Sequence, residues 1–211
     1  QAAVLKRGPI SDIIVKKTKS SINKTTTIAT GSLRRKAQWL AQYPNHNIVP
    51  LRGNIQTRLK KLEESPWQGA LFAEAALVRL EVNEKNVEIL DWMLPAPAQG
   101  ALVIVCKTED QELFDILQEL NVKEVAICTK IERDFLRTLE GGCTAPIGAI
   151  AAIKGSQIYF KGGVFSLNGK QKLICSETYP LSSSENMGIE LANNLLQKGA
   201  QDLLKEFKSS K

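Results

Sequence analysis

Three consecutive cations, Arg34, Arg35 and Lys36, follow the segment Thr30-Gly31-Ser32-Leu33. A helix opening at Leu33 would carry them in its first turn, where aligned peptide dipoles already present partial positive charge and each added cation costs a few tenths of a kcal/mol, up to about 1. Folding alone gives no reason to accept that cost. Helix-end amides together with guanidinium groups make an anion site, and that is one reading of the cluster, an ordinary solvated face being the other. The arrangement recurs downstream, with Arg52 before Gly53, which lets the backbone turn, Asn54 as a cap and Arg58 one turn into the next helix. Arg79, just after a third apolar run, could join these four, although alone it reads as a surface residue.

A thiol is the second chemical element. In Leu139-Glu140-Gly141-Gly142-Cys143-Thr144-Ala145-Pro146-Ile147-Gly148, a helix ending on a glycine pair would leave Cys143 on a turn. Exposure makes the thiol available without making it reactive, and no neighbouring His, metal motif or second Cys argues for activation. Cys106, Cys128 and Cys175 read as small apolar packing residues. With no C-x-x-C pair and a single His, a structural zinc site is not expected, and neither are disulfides. His46 reads as a plain loop residue, and Lys16, Lys17, Lys19 and Lys24 as part of a solvated connector.

These residues need a frame to position them. Residues 25–30 form a β-prone run, 33–43 a helix closed by Pro44, 47–51 a second strand, 55–64 a second helix and 69–75 a third strand, all from the pattern of apolar residues and breakers. Alternating strands and helices of this kind argue for a parallel sheet with covering helices. Ligands bind such sheets at the carboxyl ends of the strands, which is where both arginine junctions fall. The Pro- and Gly-rich segment 94–100 reads as a crossing between domains, and 101–106 as a further apolar strand. Beyond it the pattern gives a helix over 122–139, strands at 149–153, 157–165 and 172–179 with an Asn168-Gly169 hairpin turn, and a last amphipathic helix over 185–207 capped by Ser184. The expected fold is therefore α/β with a parallel or mixed sheet, plus a small carboxyl-terminal α+β domain whose three strands form an antiparallel sheet.

Composition narrows the partner. The chain has 211 residues, 43% of them hydrophobic, with no apolar run long enough to span a membrane. Residues 1–61 hold thirteen Lys or Arg against one acid, Asp12, while 62–211 are net negative. Such asymmetry directs the first part toward nucleic acid or a small polycarboxylate or phosphate. Nucleic acid is disfavoured, because Trp39 and Tyr43 are the only stacking aromatics in the basic segment and no RNA or DNA motif is present. A non-enzymatic protein binding small anions in an α/β frame remains the alternative, and it leaves the Gly-Gly-Cys turn unexplained.

Ser32-Leu33-Arg34-Arg35, Leu51-Arg52-Gly53-Asn54 with Thr57-Arg58-Leu59, Gln99-Gly100-Ala101 and Leu139-Glu140-Gly141-Gly142-Cys143 occur in the order and spacing of the porphobilinogen deaminases, and the chain resembles that family over essentially its whole length. The resemblance implies a transferase, hydroxymethylbilane synthase, in tetrapyrrole (heme) biosynthesis. It joins four porphobilinogens, each losing ammonia, into a linear chain on a dipyrromethane that Cys143 holds as a thioether. It further implies that Thr30, Ser32, Arg34, Arg35 and Arg58 hold the cofactor's carboxylates, and that Arg52, Arg58, Arg79 and Gln99 bind substrate. The fold implied is like that of periplasmic binding proteins, and the full-length protein is expected to be a cytoplasmic monomer with no metal.

Two departures from the family stand out. Ala29-Thr30-Gly31-Ser32 stands where the family often has Gly-Thr-Ser-Ser, exchanging one hydroxyl for a backbone amide. The family's His-Ser-x-Lys-Asp segment, whose Asp assists proton transfer, is absent, so the family's catalytic Asp is expected upstream of residue 1. The expected division is accordingly 1–14 as a remnant of a first domain, 15–97 as the anion-binding domain, 98–120 as a return to the first domain, and 121–211 as the domain carrying the cysteine. On this reading the 211 residues alone have little activity.

Overall fold

The computed structural model describes residues 1–17, 23, 25–82, 86–139 and 145–209. The chain opens with β1 (Ala3–Val4) and β2 (Asp12–Lys16), followed by β3 (Thr27–Ala29), α1 (Leu33–Gln42), β4 (Asn47–Val49), α2 (Ile55–Glu64), β5 (Gly69–Ala73), α3 (Glu74–Arg79) and β6 (Val87–Ile89). Strands β2 to β6 form one sheet in the order β4-β3-β5-β2-β6. It is mixed: β3 runs parallel to β4 and β5, whereas β2 runs antiparallel to β5 and β6.

Both faces of the inner strands β2, β3 and β5 are covered, which is why their middles are runs of apolar residues and do not alternate with polar ones. Ile13, Val15, Ala29, Ala70 and Phe72 pack with Leu62 of α2 and Leu77 of α3 on one side, while Ile14, Ile28 and Leu71 pack with Trp39 of α1 on the other. Each large side chain buried this way contributes roughly 1.5–3 kcal/mol. Strand β2 belongs wholly to this sheet, so the boundary drawn at residue 14 cuts through a central strand. Pairing with β5 and β6 on both sides is what ties it there.

Residues 2–8 then run alongside 100–104. β1 pairs antiparallel with β7 (Val103–Ile104), and Gly8 N–H donates to the Gly100 carbonyl at 2.9 Å. The strand expected over 101–106 is thus only two residues long. Its apolar side chains are exposed, Val105 at 68%, so the run lacks the burial that would extend it. A short helix, α4 (Gln111–Gln118), follows.

The carboxyl-terminal unit comprises α5 (Lys123–Thr138), the antiparallel sheet of β8 (Ile147–Lys154), β9 (Gln157–Phe165) and β10 (Lys172–Pro180) in the order β10-β9-β8, and α6 (Met187–Leu195). Phe135 of α5, Phe160 of β9 and Leu191 of α6 are at its centre. Gly169 turns the β9–β10 hairpin at φ +73, with the Asn168 carboxamide accepting from Ser166 and Lys170. The last helix differs from expectation at both ends. Residues Leu181–Ser183 form a 3-10 turn, α6 starts after Asn186 without a Ser184 cap, and a widened π turn at Leu196–Ala200 kinks the chain at Gly199 (φ 97) before α7 (Gln201–Ser209).

Candidate anion-binding site

Register places the chemistry. Because β2 runs against β5, with Asp12 opposite Ala73, the first residue of β2 lies at the same sheet edge as the carboxyl ends of β3, β4 and β5. The turn after β3 opens α1, and the Ser32 hydroxyl caps it by accepting from Arg35 N–H at 3.4 Å. The first turn of α1 therefore lies beside the Asp12 carboxylate.

That carboxylate is fully buried and carries four bonds. Arg34 donates from Nη1 (2.5 Å) and Nη2 (3.1 Å), Arg35 from Nε (2.8 Å) and Gln99 from Nε2 (3.1 Å). Arg34 is nearly saturated: Nη1 also reaches the Leu94 carbonyl (2.7 Å) and Nη2 the Gln99 side-chain oxygen (3.2 Å). Arg35 makes one further, long bond, from Nη1 to the Leu71 carbonyl at 3.5 Å, and its Nη2 has no partner among the described residues. One carboxylate thus faces two guanidinium groups.

The electrostatics follow from that ratio. Burial alone would raise the Asp12 pKa, but the charges and hydrogen bonds of Arg34 and then Arg35 outweigh it and hold the carboxyl below its ordinary 3.8. Burial is also the largest influence on Arg35 and pulls its pKa down; Asp12 opposes this, while Arg34 and Arg58 reinforce it. Arg35 stays cationic at neutral pH. The repulsion from Arg58 shows that the second junction lies within electrostatic reach of the first.

At that second junction Gly53 adopts φ +124, Asn54 caps α2 by accepting from Thr57 N–H at 2.8 Å, and Arg58 Nε donates to the Gly53 carbonyl at 2.7 Å. The two turns touch. A Cβ at Gly31 would lie 2.4 Å from the Leu51 carbonyl oxygen, so glycine is what lets the backbone before Arg52 lie against the β3–α1 turn; the Arg52 stem is beside it, its Cδ 3.8 Å from the same point. Neither the Arg52 guanidinium nor the outer nitrogens of Arg58 have partners among the described residues, and Thr30 is buried with its hydroxyl accepting from Ser32 N–H.

The structure thus brings Thr30, Ser32, Arg34, Arg35, Arg52, Arg58 and Gln99 to one edge. Arg79 lies exposed in the last turn of α3 and makes no contact with them. Cys143, with the rest of 140–144, and Lys19 and Lys24 lie outside the described residues. Cys106 and Cys175 are half-buried and Cys128 is buried; burial, aided by the Glu132 charge, pushes the Cys128 thiol up to about 11, and burial raises Cys175. His46 is no loop bystander. It is 8% exposed, stacks on Tyr43 at 4.8 Å and accepts from the Trp39 indole N–H at 3.2 Å.

Sequence reading missed the frame behind the arginines. Glu132 of α5, fully buried, accepts from Arg7 Nη1 (2.7 Å) and Nη2 (2.9 Å) and from the backbone N–H groups of Ala98 (2.6 Å) and Ala151 (2.8 Å). Arg7 in turn donates from Nε to the Gln99 carbonyl at 3.0 Å. The carboxyl-terminal unit therefore fixes the backbone of the residue whose side chain bridges Asp12 and Arg34.

Comparison with known proteins gives the family. The family model described as "Porphobilinogen deaminase, dipyromethane cofactor binding domain" matches residues 1–115, and that described as "Porphobilinogen deaminase, C-terminal domain" matches 126–197. The chain belongs to the porphobilinogen deaminase family. It is 37% identical to the porphobilinogen deaminase of Chloroherpeton thalassium over 98% of this chain and 69% of that protein. It is likewise 37% identical to the Limosilactobacillus reuteri protein of the same name, over 90% and 64%, and 39% identical to that of Carboxydothermus hydrogenoformans, over 86% and 59%. The chain thus spans about two-thirds of the length of these relatives. The crystal structure of the substrate binding protein of an amino acid ABC transporter superposes with a TM-score of 0.31 at 19% identity over 57% of this chain and 56% of that one, a likeness too low to define the fold.

Proposed function

We propose that the protein carries out the stepwise, deaminating condensation of four porphobilinogens to hydroxymethylbilane, and that the Asp12-centred edge holds the carboxylates of a dipyrromethane and of the growing chain. The observation that carries this reading is the charge imbalance: two buried guanidinium groups share one carboxylate, and beside them Arg52 and Arg58 are in no ion pair among the described residues. When bound, a dipyrromethane supplies the pyrrole end from which the chain grows, and Cys143 would hold it.

The protein's own residues divide the work. Arg34, fully engaged by Asp12, Leu94 and Gln99, orients the edge. Arg35, through its outer nitrogen, together with Arg52, Arg58 and the Ser32 hydroxyl, has donors left for ligand carboxylates. Arginine suits this duty, since its planar fork binds carboxylate bidentately and keeps its charge. Arg79, at the end of α3, and the Gln99 side chain complete the proposed substrate contacts. We place the activity in heme biosynthesis in the cytoplasm, in a monomer that engages neither nucleic acid nor membrane; among the described residues no helix is long and apolar enough to cross a membrane.

Intact-mass measurement after incubation with porphobilinogen tests the reading. The expected result is a covalent two-pyrrole adduct that is absent from a Cys143→Ser variant. An adduct that persists in the variant would place the tether elsewhere.

A further inference from the structure

Where α1 meets the carboxyl-terminal sheet, the hairpin tip abuts the helix so closely that a Cβ at Gly169 would lie 2.4 Å from Ala41 N. Beside this contact is a cavity of about 270 Å³, bordered by Gln38 and Gln42 of α1, Trp92, Phe165 and the lysines Lys161 and Lys172. Of the residues around the arginine edge it shares Leu94, whose carbonyl accepts from Arg34; none of the edge's arginines lines it.

Strand alternation explains the floor. Lys161, Gly163 and Phe165 share one face of β9, and the pairs Gly163–Ile174 and Phe165–Lys172 put Ile174 and Lys172 on the same face of β10. Ile174 leans across the gap left by Gly163, where a Cβ would come within 2.3 Å of its Cδ1. The result is an apolar middle of Ile174, Phe165 and the Trp92 indole with an ammonium group toward each end. Four residues of strand separate the lysine positions, about 13 Å, which the two side chains reaching inward reduce to the length of a one-ring ligand. Neither lysine has a carboxylate or hydrogen-bond partner among the described residues. The Gln38 amide, by contrast, is already spent on Leu94 N–H (2.7 Å) and its carbonyl (2.9 Å), so the charged groups are what the cavity offers a ligand.

We propose that this seam is a second anion site, taking a planar one-ring dicarboxylate whose ring lies against Trp92 and Phe165 and whose carboxylates meet Lys161 and Lys172. Two lysines and a cavity just below the usual volume of drug-sized sites favour so small a dianion over a larger polyanion. A ligand there would brace α1, the helix that carries Arg34 and Arg35, against the β9–β10 hairpin.

Benzene-1,4-dicarboxylate is the probe, with binding to the 211-residue chain followed by saturation-transfer NMR and calorimetry. Dissociation constants in the millimolar range are expected, weakened at least fivefold by Lys161→Met or Lys172→Met and more than tenfold by both, with benzoate binding more weakly than the dicarboxylate. The constants are read in the Arg58→Met background, so that the arginine edge adds no carboxylate binding of its own, and there Lys170→Met on the exposed hairpin should leave them unchanged. Competition by porphobilinogen in that background would name the pathway's own pyrrole dicarboxylate as the occupant, and its failure to compete would assign an unrelated one-ring dicarboxylate. Unchanged affinity in the double lysine variant, loss in Lys170→Met, or no binding to the Arg58→Met chain would overturn the proposal.

Discussion

Replacing Asp12 by Asn keeps its shape and removes the one carboxylate that, among the described residues, pairs with Arg34 and Arg35. The carboxylate is fully buried and accepts four bonds at 2.5, 2.8, 3.1 and 3.1 Å. An amide offers one oxygen in their place, and its NH2 would point at a donor. Breaking a buried pair this way, with the cations left behind, costs about 3–5 kcal/mol. For a chain of this size each kcal/mol shifts Tm by roughly 2–4 °C, so a drop of roughly 6–20 °C is expected in a calorimetric scan at pH 7. The pH dependence is a second readout. Because the folded pKa lies below 3.8, the stability that Asp12 contributes is fully present above that value and is lost as pH falls through the folded pKa. The wild-type advantage over Asp12→Asn should therefore be constant from pH 5 to 7 and shrink below about pH 4. A loss under about 1 kcal/mol, or an advantage that grows on acidification, would refute the claim that this ion pair organises the edge.

Other expectations follow from the same contacts. Glu132→Gln should cost about 3 kcal/mol in urea unfolding, since one oxygen cannot serve Arg7 and two backbone N–H groups together; a neutral result would mean that Arg7 finds another partner. Cys128, with its thiol pushed up to about 11, should resist iodoacetamide at pH 8, where roughly one molecule in a thousand is thiolate, and peptide mapping that finds it labelled as fast as free cysteine would contradict the packing. Gly169→Ala, at φ +73 and with no room against α1, should lower stability by about 1–3 kcal/mol and loosen the hairpin, read as faster amide exchange over residues 166–171; unchanged exchange would show that the seam can yield.

How much of this was legible in the sequence depends on whether the signal is local. Helix α2 spans Ile55–Glu64 as expected because Asn54 caps it and Ser65 ends it, and β9 falls at Gln157–Phe165 because alternation and the Asn168-Gly169 turn bound it. The mixed character of the sheet was open, and the antiparallel course of β2 was not visible, because strand direction is fixed by pairing with residues about sixty positions away. The arginine cluster was legible as cations gathered at one sheet edge, but not that its first member is buried and nearly saturated. One clue was on the page: Asp12 is the sole acid in the first 61 residues, and such a residue is a natural counter-ion. The short β7 shows the opposite error, since the apolar run 101–106 suggests a longer strand than Val103–Ile104 and a run extends only where a partner covers it. His46 escaped notice because its value comes from Trp39 and Tyr43, which only the turn of α1 brings beside it.

The central claim is that donors left over around Asp12 bind the carboxylates of pyrrole ligands. Calorimetric titration of porphobilinogen into the wild-type chain and into Arg52→Met and Arg58→Met variants tests it most directly, because among the described residues neither side chain is in an ion pair, Arg58 donating to the Gly53 carbonyl alone, and both can be removed without unbalancing Asp12. The account predicts at least a tenfold loss of affinity in each variant at unchanged Tm; equal affinity in all three proteins would contradict it.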